Sequence, residues 1–480
     1  MTHPPELEQA LAAQRAACRA APVPTEAERR RDLQTLRRFL LEHRDALCEA
    51  ISRDYGHRSR HETELTECIP VLKDIDHALA HLGRWMRVQR RQVDRLAFGL
   101  ARNRVIPQPL GVVGVIVPWN FPLNLSFLPL VAILAAGNRA MVKMSENSRH
   151  LAALLIEKIP AYFPPEKLLF LDETGGVGIA FSQLPFDHLL FTGSTQTGRS
   201  VMQSAAQNLC PVTLELGGRS PALVCDDFDL RTAAERILYV KCLNAGQICT
   251  TVDHVYVPRG RLEAFVQLAQ AIVPQRYPDL ASPDLTSIIN AQAYARMTSI
   301  IYAQAYARLT AALDEAEAGG ARVLPLLPGP SRDDAAHRLA PHLVLDAPPG
   351  CALMQREIFG PILPVLPYDD VSEVVDRIQA GPRPLAFYPF THDRARLQYL
   401  LDHVMSGGVS VNDALFHVAQ TDLPFGGVGA SGMGHYHGRE GFETFSKLRP
   451  VFHQSRFSAL SLLYPPYGAK IEALLKFLAR

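Results

Sequence analysis

Two open, doubly wound α/β domains are what this sequence predicts, and three observations predict them. From residue 111 onward, short apolar runs rich in β-formers alternate with helical stretches, the pattern of a parallel sheet with crossover helices. The runs fall into two successive series of similar size. The chain, at 480 residues, is also too long for one simple core. A cleft between two such sheets is the expected place for a ligand, beyond the carboxyl ends of the strands.

Residues 25 to 90 precede this texture and carry helical spacing, as in Leu33, Leu36, Leu40 and Leu47. The first strand series is "GVVGVIVPW", "RAMVKM", "KLLFLDE", "HLLFTG" and "PVTLELGG". "FLPLVAILAAG", the longest apolar stretch, reads as a buried helix, being too short to span a bilayer. The second series begins with "PALVCDD", a helix through "TAAERILYVKCLNAG", "DHVYVPRG" and the helix "RLEAFVQLAQAIV". Strands follow at "LPVLPY", "LAFYPFTHD" and "GGVSVND". Between them, "TSIINAQAYARM" (286–297) is repeated at once as "TSIIYAQAYARL" (298–309). Twelve helical residues rotate the following face by about 120°, so one copy should keep the core contacts and the other form extra surface.

Composition narrows the function. A net charge of +1 and the absence of a long basic run exclude an electrostatic footprint for nucleic acid. The arginines of "ERRRDLQTLRR" and "RWMRVQRRQVDR" alternate with acids and apolar residues, as on solvated helix faces. Eight scattered cysteines without a CxxC pair suit free thiols in a reducing compartment. "MTHPPELEQALAAQ" lacks the apolar core of a signal peptide, and no window is apolar enough for a transmembrane segment, so a cytoplasmic protein is expected.

Chemistry gathers at three places. Cys249 lies in "NAGQICTT", behind Gly246 and before two threonines; it is either an accessible nucleophile or an ordinary buried thiol. Glu215 ends the strand of "LELGGRSP", and Asn120 stands in "VPWNFP". A thiolate, a carboxylate and a side-chain amide supply the nucleophile, the base for water and the oxyanion donor of acyl chemistry. Taken singly, each residue also has a plain structural reading.

Together these stretches resemble the aldehyde dehydrogenase superfamily, over residues 25 to 450 or so. The resemblance rests on "PWNFP", "FTGSTQTG", "LELGGRSP", "NAGQIC", "EIFGP" and "PFGGVGASGMGHYHG", in that order. It implies that Cys249 attacks the aldehyde carbon, that the Asn120 amide and the Cys249 N–H hold the oxyanion, and that Glu215 activates the hydrolytic water. It implies NAD as cofactor, with NADP possible. Trp119 belongs to the cofactor side, Lys143 and Glu146 would hold the adenine ribose, and Gly193, Ser194 and Gly198 would meet the pyrophosphate at a helix N-terminus. Glu357 would accept from the nicotinamide ribose, with Phe359 beside the ring.

The resemblance further implies a dinucleotide-binding domain from 1–95 and 110–217 and a catalytic domain from 218–425. Segments 96–109 and 426–480 would form an oligomerisation hairpin and a C-terminal tail. "GASGMGHYHGREGFETFSKLRPVF" and "LYPPYG" are similar to the class 3 branch, nearest its bacterial members that oxidise coniferyl aldehyde. That branch implies a homodimer and an aromatic or medium-to-long aliphatic aldehyde as substrate; Phe121 and Phe416 suggest an apolar funnel for it. Two departures stand out: Met144 where the family often has proline, and Thr250-Thr251-Val252 behind the cysteine. His435 and His437 flank Tyr436 without a third ligand nearby, so no metal is expected. In "KIEALLKFLAR", Ile471, Leu474, Leu475 and Leu478 share a helical face, expected to dock on the protein itself. The alternatives are a dehydrogenase that passes the thioester to coenzyme A, or a non-catalytic protein on the same fold. Glu215 speaks against the first and the intact trio against the second.

Overall fold

The computed structural model describes residues 5–174, 176–289, 305–456 and 464–479. A six-stranded sheet runs in the order Gly432–Met433, Val212–Glu215, His188–Thr192, Val112–Ile116, Arg139–Lys143, Leu168–Leu171. Its five long strands are parallel, and Gly432–Met433 is an antiparallel edge. Alternation of side chains explains why it is covered on both faces. Val113 and Val115 join the core with Leu33, Leu36, Leu40 and Leu47 of helix Glu26–Tyr55, while Val112 and Ile116 pack with Leu7 and Val201 on the other side. That helix starts with a Thr25/Glu28 capping box and stops at Gly56. "FLPLVAILAAG" lies in helix Asn124–Ala135, buried from Leu125 to Ala135 all round.

The second sheet has seven strands, ordered Arg322–Pro325, His342–Leu345, Ile362–Tyr368, His254–Pro258, Pro221–Val224, Ala386–Phe390, Gly408–Val409. Only its first pair is antiparallel. Five residues, 216–220, lead from the carboxyl end of Val212–Glu215 into the amino end of Pro221–Val224. The second sheet therefore presents strand starts where the first presents strand ends. A third, antiparallel sheet joins Gln89–Arg91, Arg102–Pro109 and Ser446–His453.

The C-terminal segment forms helix Ala469–Leu478; Leu475 on it is exposed, and the side chains of Leu474 and Leu478 lie outside the described ones. Of the tandem repeat, residues 290–304 lie outside the described residues. Its flanks are ordered into the core: Ile288 and Ile289 are buried before it, and Leu309 is buried in helix Ala305–Ala318 after it.

Candidate active site

The loop that carries Cys249 is held in an unusual backbone path. After helix Leu230–Cys242, Asn244 and Ala245 both have φ of 50° and Gly246 has φ of 69°. Left-handed non-glycine residues cost on the order of 1–3 kcal/mol each and persist only where the surroundings enforce them. Here they do. The Asn244 N–H donates to Glu62 at 3.1 Å, and its side-chain amide donates to the Asn120 and Gln247 carbonyls at 3.3 and 3.2 Å. Gln247 donates to the Ser287 carbonyl at 3.1 Å and accepts from the Ile289 N–H at 2.9 Å. A side chain at Gly246 would bring Cβ to 2.4 Å from the Gly360 oxygen, so only glycine fits. Past the cysteine, the Tyr388 hydroxyl donates to the Thr250 carbonyl and the buried Lys241 ammonium to the Val252 carbonyl at 3.0 Å. Cys249 itself is half-buried on this fixed loop.

Asn120 follows strand Val112–Ile116, at the carboxyl end next to the point where strand order reverses. Its side-chain amide donates to the Gln247 carbonyl at 3.3 Å, two residues from the thiol. Trp119 stands between Tyr55 and Phe359, with ring centroids 6.0 and 5.6 Å away, which brings "PWNFP" and "EIFGP" together.

Two carboxylates share this site with the thiol. Glu215 is 2% exposed and neither carboxyl oxygen has a hydrogen-bond partner among the described residues; burial alone raises its pKa well above the usual carboxylate range. Glu357 lies against the Gly217–Gly218 turn, where a Cβ on Gly217 would stand 2.1 Å from its Oε2. Burial, then the charge of Asp253, pushes it up to about 8, although the Gly218 N–H pulls the other way. Cys249 is pushed up to about 12 by burial, then by the charges of Glu357 and Glu215. Burial thus raises all three acids, and a carboxyl with a raised pKa is, once ionised, a stronger base toward water.

The chain as a whole is similar to known proteins. A sequence profile described as "Aldehyde dehydrogenase family" matches residues 2–451. The chain belongs to the aldehyde dehydrogenase family. It is an enzyme, an NAD(P)-dependent dehydrogenase with that family's fold. It is 47% identical over 470 residues to a "Probable coniferyl aldehyde dehydrogenase" of Pseudomonas aeruginosa, covering 98% of this chain and 95% of that one. A "Coniferyl aldehyde dehydrogenase" of a Pseudomonas species is 42% identical over 444 residues, covering 92% and 89%. Among solved structures, a substrate-bound AldH of Staphylococcus aureus superposes with a TM-score of 0.90 at 31% identity, covering 98% of this chain and 99% of that one.

Where this aldehyde dehydrogenase would hold a dinucleotide, the residues fit an anion. Ser194 caps helix Thr195–Ala206, its hydroxyl accepting from the Thr197 N–H at 3.2 Å, and no acidic residue stands in the first turn. The Gly193 N–H donates to the Glu215 carbonyl at 2.9 Å, tying this helix start to the end of strand Val212–Glu215. A Cβ at Gly198 would stand 2.5 Å from the Leu216 Cδ2, so a larger residue would displace the Leu216 side chain that follows strand Val212–Glu215. The Lys143 ammonium, at the end of strand Arg139–Lys143, is nearly buried and pairs with Glu173. Glu146 is half-buried and accepts from the Ser145 hydroxyl at 3.4 Å, so within the protein the lysine's partner is Glu173 and not Glu146.

The candidate site residues are thus drawn from opposite strand ends. Asn120, Lys143, Ser194 and Glu215 follow the rule of carboxyl ends, whereas Cys249 and Glu357 precede strands His254–Pro258 and Ile362–Tyr368. Four features escape a reading of the sequence. Glu173 meets Lys143 because neighbouring parallel strands place their ends together. Tyr239 stacks on Phe416 at 6.3 Å and 13°. Asp253 gathers Arg219, His254 and the Ile358 N–H. Tyr436, buried with its hydroxyl unpartnered, lies within reach of the charges of Glu215 and Cys249. The signal available for the first and third was only charge at strand ends. His435 is exposed and His437 buried, and no group of three metal-ligating side chains occurs among the described residues.

Proposed function

We propose that this aldehyde dehydrogenase oxidises an aromatic aldehyde of the coniferaldehyde type, or a medium-to-long aliphatic one, to the free acid, with Cys249 as nucleophile and Glu215 as base. One observation carries the reading: a half-buried thiol on a fixed loop lies within reach of the charge of Glu215, a buried carboxylate with no hydrogen-bond partner among the described residues, and the Asn120 amide donates into the same loop. Attack by the Cys249 sulfur on the aldehyde carbon puts negative charge on the oxygen, which accepts from the Asn120 amide and the Cys249 N–H. NAD, when bound, supplies the hydride acceptor that turns the thiohemiacetal into a thioester. Glu215 then takes a proton from water as the water oxygen attacks the thioester carbon; the acid leaves and the thiolate is restored. A base so placed favours hydrolysis over transfer to coenzyme A.

Lys143 and Glu146 bind the adenine ribose, Gly193, Ser194 and Gly198 the pyrophosphate, and Glu357, Phe359 and Trp119 the nicotinamide end. A carboxylate at Glu146 repels a 2′-phosphate, which favours NAD over NADP. The stacked, partly exposed rings of Tyr239 and Phe416 support a planar substrate, as do the relatives' names. Residues 1–95 and 110–217 act as the cofactor domain and 218–425 as the catalytic one. The sheet of Arg102–Pro109 and Ser446–His453, with Phe452 exposed on it, is the surface on which a homodimer forms. Eight free cysteines support a reducing, cytoplasmic setting, and no described helix is long and apolar enough to cross a membrane. A panel of aldehydes with NAD and NADP tests the reading. Coniferaldehyde should exceed succinic semialdehyde in kcat/KM by about tenfold or more; the reverse order rejects the aromatic assignment.

A further inference from the structure

Behind Asn120 lies a buried ion pair between Arg58 and Glu67. Arg58 and Glu67 have side chains with no exposure at all, and Nη1 of the guanidinium stands 2.5 Å from Glu67 Oε1. The same nitrogen donates to the Asn120 carbonyl at 3.2 Å. The other oxygen of Glu67 accepts from the Leu123 and Asn124 N–H groups, both at 2.8 Å. These are orphan donors at the start of helix Asn124–Ala135, whose N-cap is Leu123 and offers no side-chain acceptor. One ion pair therefore grips the segment 120–124 at both ends. The guanidinium also lies over the rings of Tyr55 and Phe121, at 5.1 and 4.8 Å from their centroids. Tyr55 adds a hydrogen bond from its hydroxyl to the Asn120 carbonyl at 2.8 Å.

A fully buried pair of this kind contributes little net stability compared with apolar residues of the same volume, because desolvating both ions offsets their attraction. What it supplies is geometry. Glu67 also sits in a π-helical turn, Glu64–Cys68, a feature that recurs at functional sites. With the Asn120 carbonyl fixed by Arg58, Tyr55 and Asn244, the peptide cannot rotate, and the side-chain amide stays aimed at the Cys249 loop. We propose that Arg58 and Glu67 are positioning residues for the oxyanion, acting through the Asn120 peptide. The proposal rests on the reading of Asn120 as oxyanion donor.

The test needs no cofactor. Attack of the Cys249 thiolate on p-nitrophenyl acetate breaks the ester C–O bond, forms the acetyl thioester and releases p-nitrophenolate, through the same oxyanion. The burst amplitude counts active sites and the burst rate constant reports their chemistry. Arg58→Lys keeps a charge for Glu67 but cannot span Glu67 and the Asn120 carbonyl; with Arg58→Met, it should slow acylation per titrated site by about tenfold. A purely structural role would lower the amplitude and leave the rate constant alone. Added to Asn120→Ala, Arg58→Lys should change the rate less than about twofold, because the amide it aims is gone. A wild-type rate constant in both Arg58 variants, or full additivity with Asn120→Ala, overturns the proposal. A normal rate in Asn120→Ala itself removes the oxyanion role and the proposal with it.

Discussion

Asp253 and Arg219 form an ion pair, Oδ2 to Nε at 2.9 Å, and through it the three segments of the site are clamped together. Arg219 follows Glu215 by four residues and Asp253 follows Cys249 by four. The other Asp253 oxygen accepts from the Ile358 N–H at 3.0 Å, next to Glu357. Arg219 reaches further, donating to the carbonyls of Leu353 and Met354. One carboxylate thus ties together the segments that carry Glu215, Cys249 and Glu357.

Asp253 should be held by its charge. Burial pushes its carboxyl up, but the hydrogen bond and charge of His254 and the charges of Arg219 and Lys241 prevail and bring it to about 2. A depressed pKa stabilises the fold above the unfolded value near 4, and the gain is lost as pH falls toward 2. Asp253→Asn is expected to cost about 2 kcal/mol in urea unfolding at pH 7. The gap to wild type should narrow at pH 3. An equal gap at both values would show that charge is not the source.

Tyr239 and Phe416 should govern aromatic selectivity. Each is over a third exposed and their rings are nearly parallel. Phe416→Ala removes one wall for a planar substrate and should raise KM for coniferaldehyde by roughly tenfold, an aromatic contact being worth about 1 kcal/mol or somewhat more. KM for a short aliphatic aldehyde should change little. Equal loss on both substrates would place the ring pair outside the binding path.

Much of this was legible from residues 111 onward because parallel strands buried on both faces read as unbroken apolar runs, as in Val112–Ile116. The helical N-terminal stretch was legible from Leu33, Leu36, Leu40 and Leu47, all buried. The stretches around Cys249, Glu215 and Glu357 are marked by glycine and that of Asn120 by flanking prolines, since a close approach such as Gly246 to the Gly360 oxygen leaves a trace in the sequence. Pairings across crossovers leave none. Lys143 has an acid three residues away in Glu146, yet pairs with Glu173, thirty residues on, because strands Arg139–Lys143 and Leu168–Leu171 are neighbours. Nor does a linear reading tell which end of a strand faces the cleft. Cys249 and Glu357 precede their strands because the short connection 216–220 enters the second sheet at its strand starts.

Asp74 predicts a pH effect of the opposite sign. It is 3% exposed on helix Ile69–Trp85, and burial pushes its carboxyl up to about 7. The folded protein holds that proton where the unfolded chain has lost it. The contribution is therefore present below about pH 4 and lost as pH rises through 7. Wild type should lose stability between pH 5 and 8, with Glu62 and Glu357, raised to about 7 and about 8, adding to the slope. Asp74→Asn should flatten the profile and be the more stable form at pH 8, by up to about 4 kcal/mol. Parallel unfolding curves for the two proteins across this range would contradict it.

Glu146 should set cofactor preference. Its carboxylate accepts from the Ser145 hydroxyl at 3.4 Å and is half-buried, just past the end of strand Arg139–Lys143 where a ribose is proposed to lie. Glu146→Gln removes the repulsion of a 2′-phosphate and should tighten NADP by roughly tenfold while weakening NAD. Titration by protein fluorescence reads both directly. An unchanged ratio would mean that the Glu146 carboxylate does not meet the ribose.

Cys249 and Glu215 should fail at different steps when replaced. Cys249→Ala has no sulfur to attack the carbonyl carbon, so neither a covalent adduct nor NADH should rise above background. Glu215→Gln keeps the shape of a side chain whose oxygens have no hydrogen-bond partner among the described residues, and so should disturb the fold little. It cannot take a proton from water, so the thioester should form and persist. Steady-state turnover should fall by about 10²–10⁴-fold, with a stoichiometric burst of NADH retained. The Cys249 thiol, pushed up to about 12, must still lose its proton before attack. If Glu215 receives that proton as well, the burst in Glu215→Gln will be slower at unchanged amplitude, and the slowing will lessen as pH rises. Rapid mixing at the NADH absorbance, with intact-protein mass spectrometry for the acyl adduct, separates these outcomes. Normal turnover by Cys249→Ala would assign the chemistry to another residue.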